Sequence, residues 1–146
     1  MTAVIVDLDG TLCDCVHRQH HAQQSQWDEF HAKLMDDDPY WDVQWFLRKL
    51  PETLRVLAVT GRNEGFRQMT YDWLDKHSIV IDDVLMRPTG DFRPDDVLKP
   101  QLLQEHFGSK DLVIDNVIFV LDDRDKVVEA WRNYGLTCWQ VRPGGY

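Results

Sequence analysis

The sequence contains no long apolar run. None of its uninterrupted apolar stretches approaches the roughly 20 residues that a transmembrane helix requires, so no membrane location is predicted. It also opens directly into a short apolar run, without the basic and longer apolar regions of a secretory signal peptide. Cysteine is scarce and odd in number, with Cys13, Cys15 and Cys138, so no disulfide framework is expected. These features predict a reduced, cytoplasmic protein.

Basic residues are few relative to acidic ones. Lys and Arg total 16 against 25 Asp and Glu, which gives a net charge of −9 at pH 7. This charge disfavours nonspecific attraction to nucleic acid or to anionic membranes, so a polyanionic substrate has to meet a local basic patch. The 146 residues contain no internal repeat or low-complexity tract, and their number fits one domain, residues 1–146.

Five short apolar runs predict the strands of a sheet. They occupy residues 3–6, 56–59, 84–86, 117–121 and 137–141. Segments with helical spacing of apolar residues lie between them, including 66–77 and 127–134, the latter stopped by Gly135. Strands that alternate with helices predict an α/β fold, with a parallel sheet of about five strands and helices on both faces.

A long segment, residues 13–50, separates the first two predicted strands. Two amphipathic stretches within it, 27–35 and 43–50, flank the breaker Asp36-Asp37-Asp38-Pro39. We expect a small helical cap or flap inserted after the first strand, with Asp36–Asp38 as a solvated loop. Tyr40, Trp41 and Trp45 are expected to be buried in this cap, and stacking on a base is the alternative.

Two cysteines and three histidines of the same segment, Cys13, Cys15, His17, His20 and His21, superficially suggest a zinc site. Their spacing fits no standard ligand pattern, so a flap near the active site is the preferred interpretation.

Asp7-Leu8-Asp9-Gly10-Thr11 directly follows the first apolar run. Because open α/β sheets place their active sites at strand ends, both carboxylates should lie on such a loop. A carboxylate pair of this kind can hold a divalent cation and attack phosphorus, whereas a solvated acidic turn is the structural alternative.

Three later segments carry groups that can bind a phosphoryl group or a metal ion. Thr60-Gly61-Arg62 follows the second predicted strand and can hold a phosphoryl group, although an ordinary strand-to-helix turn would also explain it. Lys99-Pro100 predicts a helix that begins at Pro100 with Lys99 near its N-cap, where a cation is opposed by the helix dipole unless an anion binds beside it. An exposed lysine is the alternative for Lys99.

Asp122-Asp123 follows the fourth apolar run and can complete a metal site. Oxygen ligands of this type suit Mg²⁺. For Asp123, a role as N-cap of the following helix is the structural alternative.

In this order, the four segments resemble the four motifs of the haloacid dehalogenase superfamily of phosphotransferases, which have a Rossmann-like fold. Residues 91–99 and 122–141 are similar, more narrowly, to the 3′-phosphatase domain of bacteriophage polynucleotide kinase-phosphatases. No G-x-x-x-x-G-K-[ST] motif occurs, so a phosphatase without the kinase half of that enzyme is expected.

The resemblance implies a covalent mechanism. Asp7 would attack phosphorus to form an aspartyl-phosphate, and Asp9 would protonate the leaving oxygen and later activate water. Mg²⁺ would be held by the Asp7 carboxylate, the Asp9 main-chain carbonyl and the Asp122/Asp123 pair, with the direct ligand within that pair left open.

The remaining roles implied by the resemblance concern the phosphate groups. Thr60 and Gly61 would bind the phosphoryl oxygens, and Lys99 would neutralise charge in the transition state. Arg62, Arg93 and Arg124 would contact substrate phosphates.

The implied substrate is a 3′-phosphorylated DNA or RNA end. A free nucleotide or another small phosphomonoester is the alternative and fits the acidic charge better. A phosphoacceptor receiver domain is disfavoured, because Lys99 precedes Asp122-Asp123 and Val59 stands where an acceptor carboxylate would end the second strand. A catalytically silent scaffold is disfavoured because every expected catalytic group is present.

Overall fold

The computed structural model describes residues 2–146. Seven strands are present in this part of the chain: β1 (Ala3–Val6), β2 (Cys13–Asp14), β3 (Asp38–Pro39), β4 (Arg55–Asn63), β5 (Asp83–Arg87), β6 (Val117–Asp122) and β7 (Cys138–Gln140). Five of them form one parallel sheet in the order β5-β4-β1-β6-β7. Strands β2 and β3 pair separately and antiparallel.

The chain has seven α-helices in residues 2–146. They are α1 (Gln19–Gln23), α2 (Trp27–Ala32), α3 (Trp41–Lys49), α4 (Arg67–Lys76), α5 (Asp95–Phe107), α6 (Lys110–Asn116) and α7 (Asp125–Tyr134). Of these, α3–α7 cover the two faces of the parallel sheet. Successive residues of β1 point to opposite faces, so Val4 and Val6 join a core with α3 and α4, whereas Ala3 and Ile5 join a second core with α5, α6 and α7. The predicted α/β fold with a five-stranded parallel sheet is therefore confirmed.

The segment after β1 divides between two positions. Helices α1 and α2 lie beside the carboxyl ends of the strands, where several of their residues border a cavity. Helix α3 instead packs on the sheet, since Val43 and Leu47 belong to the same buried core as Val4. The segment between β1 and β4 thus supplies two helices beside the strand ends and one helix that covers the sheet.

Two of the sequence expectations for this segment are wrong. Trp41 is 75% exposed and Trp45 is 56% exposed, because both lie on the outer side of α3, so they are not buried in a cap. Asp37 is fully buried rather than solvated, because the buried Arg18 binds its carboxylate.

The predicted helix start at Pro100 is also wrong. Helix α5 begins at Asp95 after Pro94, and Pro100 lies inside it. Pro94 supplies the fixed φ that precedes a first turn, and Asp95 and Asp96 favour that turn because they complement the helix dipole. Lys99 consequently lies one turn into the helix, and its charge is not explained by an N-cap position.

Among residues 2–146, no helix is both long enough and apolar enough to cross a membrane.

Candidate active site

Three carboxylates from two strand ends meet at the centre of the sheet. Asp7 follows β1, and Asp122 and Asp123 lie at the end of β6, which pairs directly with β1. One oxygen from each carboxylate lies within 4.8 Å of the others, although the side chains are distant in sequence. Asp7 is 5% exposed, Asp122 1% and Asp123 2%, so water screens this negative charge poorly.

Lys99 is the cation of this carboxylate cluster. Its Nζ donates to Asp7 Oδ1 at 2.8 Å and to Asp122 Oδ2 at 3.1 Å. Burial opposes the charge of Lys99, but Asp122 and Asp7 outweigh burial and raise the pKa of the ammonium group, which therefore stays charged. One lysine against three carboxylates leaves the cluster with an excess of negative charge.

The pKa values of Asp7 and Asp123 are raised in these surroundings. Burial and the nearby Asp122 carboxylate raise the pKa of Asp7 well above its usual range, and Lys99 opposes this only in part. Burial also raises the pKa of Asp123, with Asp122 adding to the effect. A bound cation would relieve this repulsion.

The two aspartates at the end of β6 have different surroundings. Four protein groups bind the Asp122 carboxylate: Oδ1 accepts from the amides of Asp123 and Arg124, and Oδ2 accepts from Lys99 and Trp131. Asp123 borders the cavity, whereas Asp122 lies behind it. Neither residue is the N-cap of α7, since that position is held by Arg124.

Asp123 is held by two hydroxyl groups. The Tyr146 hydroxyl donates to Oδ2 at 2.5 Å, and the Thr11 hydroxyl lies 3.2 Å from Oδ1 and 3.1 Å from Asp7 Oδ2. Gly10, with φ of +88°, allows this close approach, because a Cβ at this position would collide with the Asp123 carboxylate and the Tyr146 hydroxyl.

Asp9 lies beside this cluster and is bound by two arginines. Arg62 Nη2 donates to Asp9 Oδ1 at 2.6 Å, and Arg18 Nη2 donates to the same oxygen at 2.5 Å. Burial opposes ionisation of Asp9, but the charges of Arg62 and Arg18 outweigh it and hold the pKa of this carboxyl well below its usual range. Asp9 is therefore ionised in this arrangement.

Arg62 is fully buried and does not border the cavity. Besides Asp9, its guanidinium donates to Thr70 Oγ1 at 3.1 Å. The residue lies inside β4, which extends through Thr60 and Gly61 to Asn63, farther than the sequence predicted. Thr60 and Gly61 do border the cavity, close to Asp7 and Asp9.

The other predicted substrate-binding arginines border the cavity in ion pairs. Arg93 pairs with Asp91, Nη2 to Oδ2, at 2.5 Å, and Arg124 Nη1 lies 3.5 Å from Asp95 Oδ2. Arg87 pairs with the same Asp95 carboxylate at 2.5 Å. Cationic side chains do collect at this rim, and all three are in ion pairs, with Arg87 and Arg124 sharing the Asp95 carboxylate.

The sequence did not predict three further residues of the site. Arg18 forms a two-bond contact with Asp37, at 2.8 Å from Nε and 2.5 Å from Nη2, and reaches Asp9. Asp95 joins Arg87 and Arg124, and Tyr146 binds Asp123. Arg18 and Tyr146 lie outside any recognisable motif. Asp95 could have been identified, because it lies four residues before Lys99, a spacing that places two residues on the same face of a helix.

The cysteines and histidines of the cap do not form a metal site. Within residues 2–146, the groups of potential ligands are Asp7/Asp122/Asp123 and Asp9/Cys13/Asp37, and neither includes a histidine. Arg18 and Arg62 already bind the second group. Burial raises the pKa of the Cys13 and Cys15 thiols well above the usual range, so neither is a ready thiolate ligand.

Solved structures with this fold define the class of protein. A haloacid dehalogenase-like hydrolase from Streptococcus pneumoniae matches 94% of this chain and 83% of its own, with a TM-score of 0.66 and 13% identity. At this identity the match supports the fold alone. The fold is therefore that of the haloacid dehalogenase-like hydrolases.

The chain belongs to the family described as the polynucleotide kinase PNKP phosphatase domain, whose profile matches residues 1–146. Two solved structures described as the Pnkp1/Rnl/Hen1 complex, one of them as an RNA repair complex, match 99% of the chain with 31% and 32% identity and TM-scores of 0.83 and 0.84. The chain spans only 43% and 47% of those longer chains. The predicted resemblance is thereby confirmed, and the protein is an enzyme of the phosphatase class.

Proposed function

We propose that the protein removes the 3′-phosphate from polynucleotide ends, in a Mg²⁺-dependent reaction through an aspartyl-phosphate. The observation that carries this proposal is the position of Asp7: a buried carboxylate at a strand end that accepts a hydrogen bond from Lys99 and lies beside two further carboxylates. Family membership supplies the nucleic-acid end as the substrate class.

Asp7 is proposed as the nucleophile. One of its oxygens forms the new bond to phosphorus while the bond from phosphorus to the ester oxygen breaks. Lys99 neutralises the charge that develops on the phosphoryl oxygens, and Thr60 and Gly61, which border the same cavity, bind those oxygens. Water then attacks the aspartyl-phosphate, inorganic phosphate leaves, and the Asp7 carboxylate is restored.

Asp9 is proposed as the acid in the first step and the base in the second. In the first step it gives a proton to the departing 3′-oxygen, and in the second it takes one from water. Arg62 and Arg18 hold Asp9 ionised in the free protein, and neither arginine borders the cavity. The proton that Asp9 gives is therefore taken up from solvent when substrate binds, because the negative charge of the phosphate beside Asp9 raises the pKa of its carboxyl group.

The carboxylate cluster fits Mg²⁺. Its donors are all oxygens, and its three carboxylates outnumber the single ammonium group of Lys99. Asp7 and Asp123, with the Asp9 main-chain carbonyl, would hold the ion; bound there, it polarises a phosphoryl oxygen and reduces repulsion between Asp7 and the substrate. Asp122, already bound by four protein donors, orients Lys99.

Mg²⁺ should raise the melting temperature of the metal-free protein. An ion at one hundred times its Kd contributes about 2.7 kcal/mol to folding, so a shift of several degrees is expected. Asp123→Asn should remove this shift. Asp122→Asn should still show it, but at higher Mg²⁺ concentrations, because its affinity for Mg²⁺ should be about 10- to 100-fold weaker. The exposed Asp36→Asn is the control and should keep the full shift. If Asp122→Asn lost as much of the shift as Asp123→Asn, or more, the assignment of Asp123 as the direct ligand would be contradicted. Scanning fluorimetry over a Mg²⁺ titration measures all three.

A second candidate substrate is a small phosphomonoester. It is favoured by the ion pairs that already engage Arg87, Arg93 and Arg124 at the rim, and by the net charge of −9. A terminal phosphate requires few backbone contacts, however, so a polynucleotide end remains compatible with this charge. The cytoplasmic location stays a prediction.

Three matched substrates test the function. A 3′-phosphorylated oligonucleotide should be hydrolysed with a higher kcat/KM than the same oligonucleotide phosphorylated at its 5′ end, and higher than a 3′-mononucleotide. Release of inorganic phosphate measures each rate. Equal or faster hydrolysis of the mononucleotide would replace the polynucleotide end by a small phosphomonoester as substrate, and preference for the 5′-phosphate would exclude a 3′-phosphatase.

A further inference from the structure

The cavity over the carboxylates is larger than a phosphate group requires. It measures about 770 Å³ and extends from Asp7 and Asp9 to helix α2 and to the loop between β5 and α5. This volume lies within the range typical of sites that enclose a whole small-molecule ligand. Space therefore remains beside the reacting phosphate for the rest of a nucleotide.

Besides Tyr146, which binds Asp123, two exposed aromatic side chains from separate segments border this cavity. Trp27, at the start of α2, is 52% exposed, and Phe92, between β5 and α5, is 92% exposed. Phe92 therefore lacks, in the free protein, nearly all of the stabilisation that burial gives an aromatic ring. Exposed rings also occur on α3, but Trp41 and Trp45 do not border the cavity.

Both aromatic residues are held in place, Phe92 through the backbone on either side of it and Trp27 through its ring. Arg87 Nη1 donates to the carbonyl oxygens of Asp91 and Arg93, at 3.1 and 2.6 Å, so the residues on either side of Phe92 are fixed. The Trp27 ring contacts Phe30 edge-on at 5.9 Å between centroids and lies nearly parallel to His31 at 6.5 Å. The backbone beside Phe92 and the ring of Trp27 are therefore held at the cavity before any ligand binds.

The buried His31 adds a polar group to the same wall. Its ring borders the cavity, and its Nδ1 has no hydrogen-bond partner among residues 2–146. Burial lowers the pKa of His31 to about 4, with Asp9 opposing and Arg62 and Arg18 adding to the shift, so the ring is neutral at neutral pH. A neutral imidazole can donate to or accept from a sugar hydroxyl or a base edge.

We propose that Trp27 and Phe92 form a nucleobase subsite, which stacks on the base of the terminal nucleotide while its 3′-phosphate lies against Asp7. This inference rests on the proposed function and adds to it: the end is recognised through its base as well as its phosphate. Because every base has an aromatic face, stacking tolerates all sequences. Such recognition also suits an acidic protein, since it does not depend on binding the phosphate backbone.

Two oligonucleotides that differ only at the end test the subsite. One is a 3′-phosphorylated oligothymidylate, and the other carries the same 3′-phosphate on a stable abasic tetrahydrofuran unit. For the wild-type protein, kcat/KM should be at least about fivefold higher with the terminal base present, which is the lower limit expected for one stacked base. Trp27→Leu/Phe92→Leu should reduce this preference to near one, and Trp41→Leu, an exposed tryptophan away from the cavity, should leave it unchanged.

The outcomes separate this inference from the proposed function. If the wild-type protein hydrolyses both oligonucleotides equally, or if the double variant keeps the wild-type preference, the subsite is excluded and the 3′-phosphatase stands. If the wild-type protein hydrolyses neither oligonucleotide but does hydrolyse a small phosphomonoester, the proposed substrate is excluded and the subsite with it. Circular dichroism of the variants checks that the cap remains folded.

Discussion

Asp7→Asn is expected to abolish phosphatase activity, with a loss of more than about a thousandfold. The amide has nearly the same shape as the carboxylate, but it is a poor nucleophile and a poor ligand for Mg²⁺. Removal of a catalytic nucleophile from a hydrolase typically reduces kcat by about 10⁴-fold or more. Phosphate release from a 3′-phosphorylated oligonucleotide measures the loss. Activity above about one hundredth of the wild-type rate would contradict a nucleophilic Asp7.

The same variant should keep or increase its stability in the absence of metal. Asp7 binds its proton more tightly in the folded than in the unfolded chain, because burial and Asp122 raise its pKa. Its contribution to stability therefore falls as the pH rises through the folded-state pKa, and Asn removes this penalty at neutral pH. Lys99 keeps Asp122 as its partner. A matched control is the exposed Asp36→Asn, which should leave both activity and melting temperature unchanged.

The sheet and the carboxylate cluster follow from local patterns in the sequence. Strands buried on both faces appear as short apolar runs, and a parallel sheet brings their carboxyl ends to one edge. Asp7 and Asp122-Asp123 each follow such a run directly, so their convergence could be predicted without knowledge of the long-range contacts. The order of the strands places β1 between β4 and β6, which explains why Thr60 also reaches this site.

Residues whose roles depend on a distant partner could not be predicted in this way. Asp37 stands in an acidic run that looks solvated, and its burial depends on Arg18, nineteen positions earlier. Tyr146 binds Asp123 only because the chain after β7 folds back over the end of β6. The sequence places Lys99 near the site even though it predicts the wrong start for α5. The helix begins at Asp95, about one turn before the predicted start, and Lys99 still reaches Asp7 at the strand ends.

Arg18→Met should destabilise the protein more than any exposed substitution. Arg18 and Asp37 both have fully buried side chains and share two hydrogen bonds, and Arg18 also donates to the Phe30 carbonyl at 3.1 Å. Removal of one partner of a buried ion pair leaves the other charge uncompensated, which costs about 3–5 kcal/mol. Chemical denaturation gives the free energy of unfolding. The exposed Arg48→Met is the matched control and should change it by less than about 1 kcal/mol.

A second substitution distinguishes two causes of this destabilisation: the uncompensated charge of Asp37 and the lost packing of the Arg18 side chain. If the buried Asp37 carboxylate causes the destabilisation, Arg18→Met/Asp37→Asn should be more stable than Arg18→Met alone, because the remaining group is then neutral. Activity should not return with stability, since Asp9 still lacks one of the two arginines that bind it. A double variant no more stable than the single one would assign the loss to packing of the Arg18 side chain against Phe30 instead. Recovery of activity together with stability would show that Arg18 supports the fold without acting on Asp9.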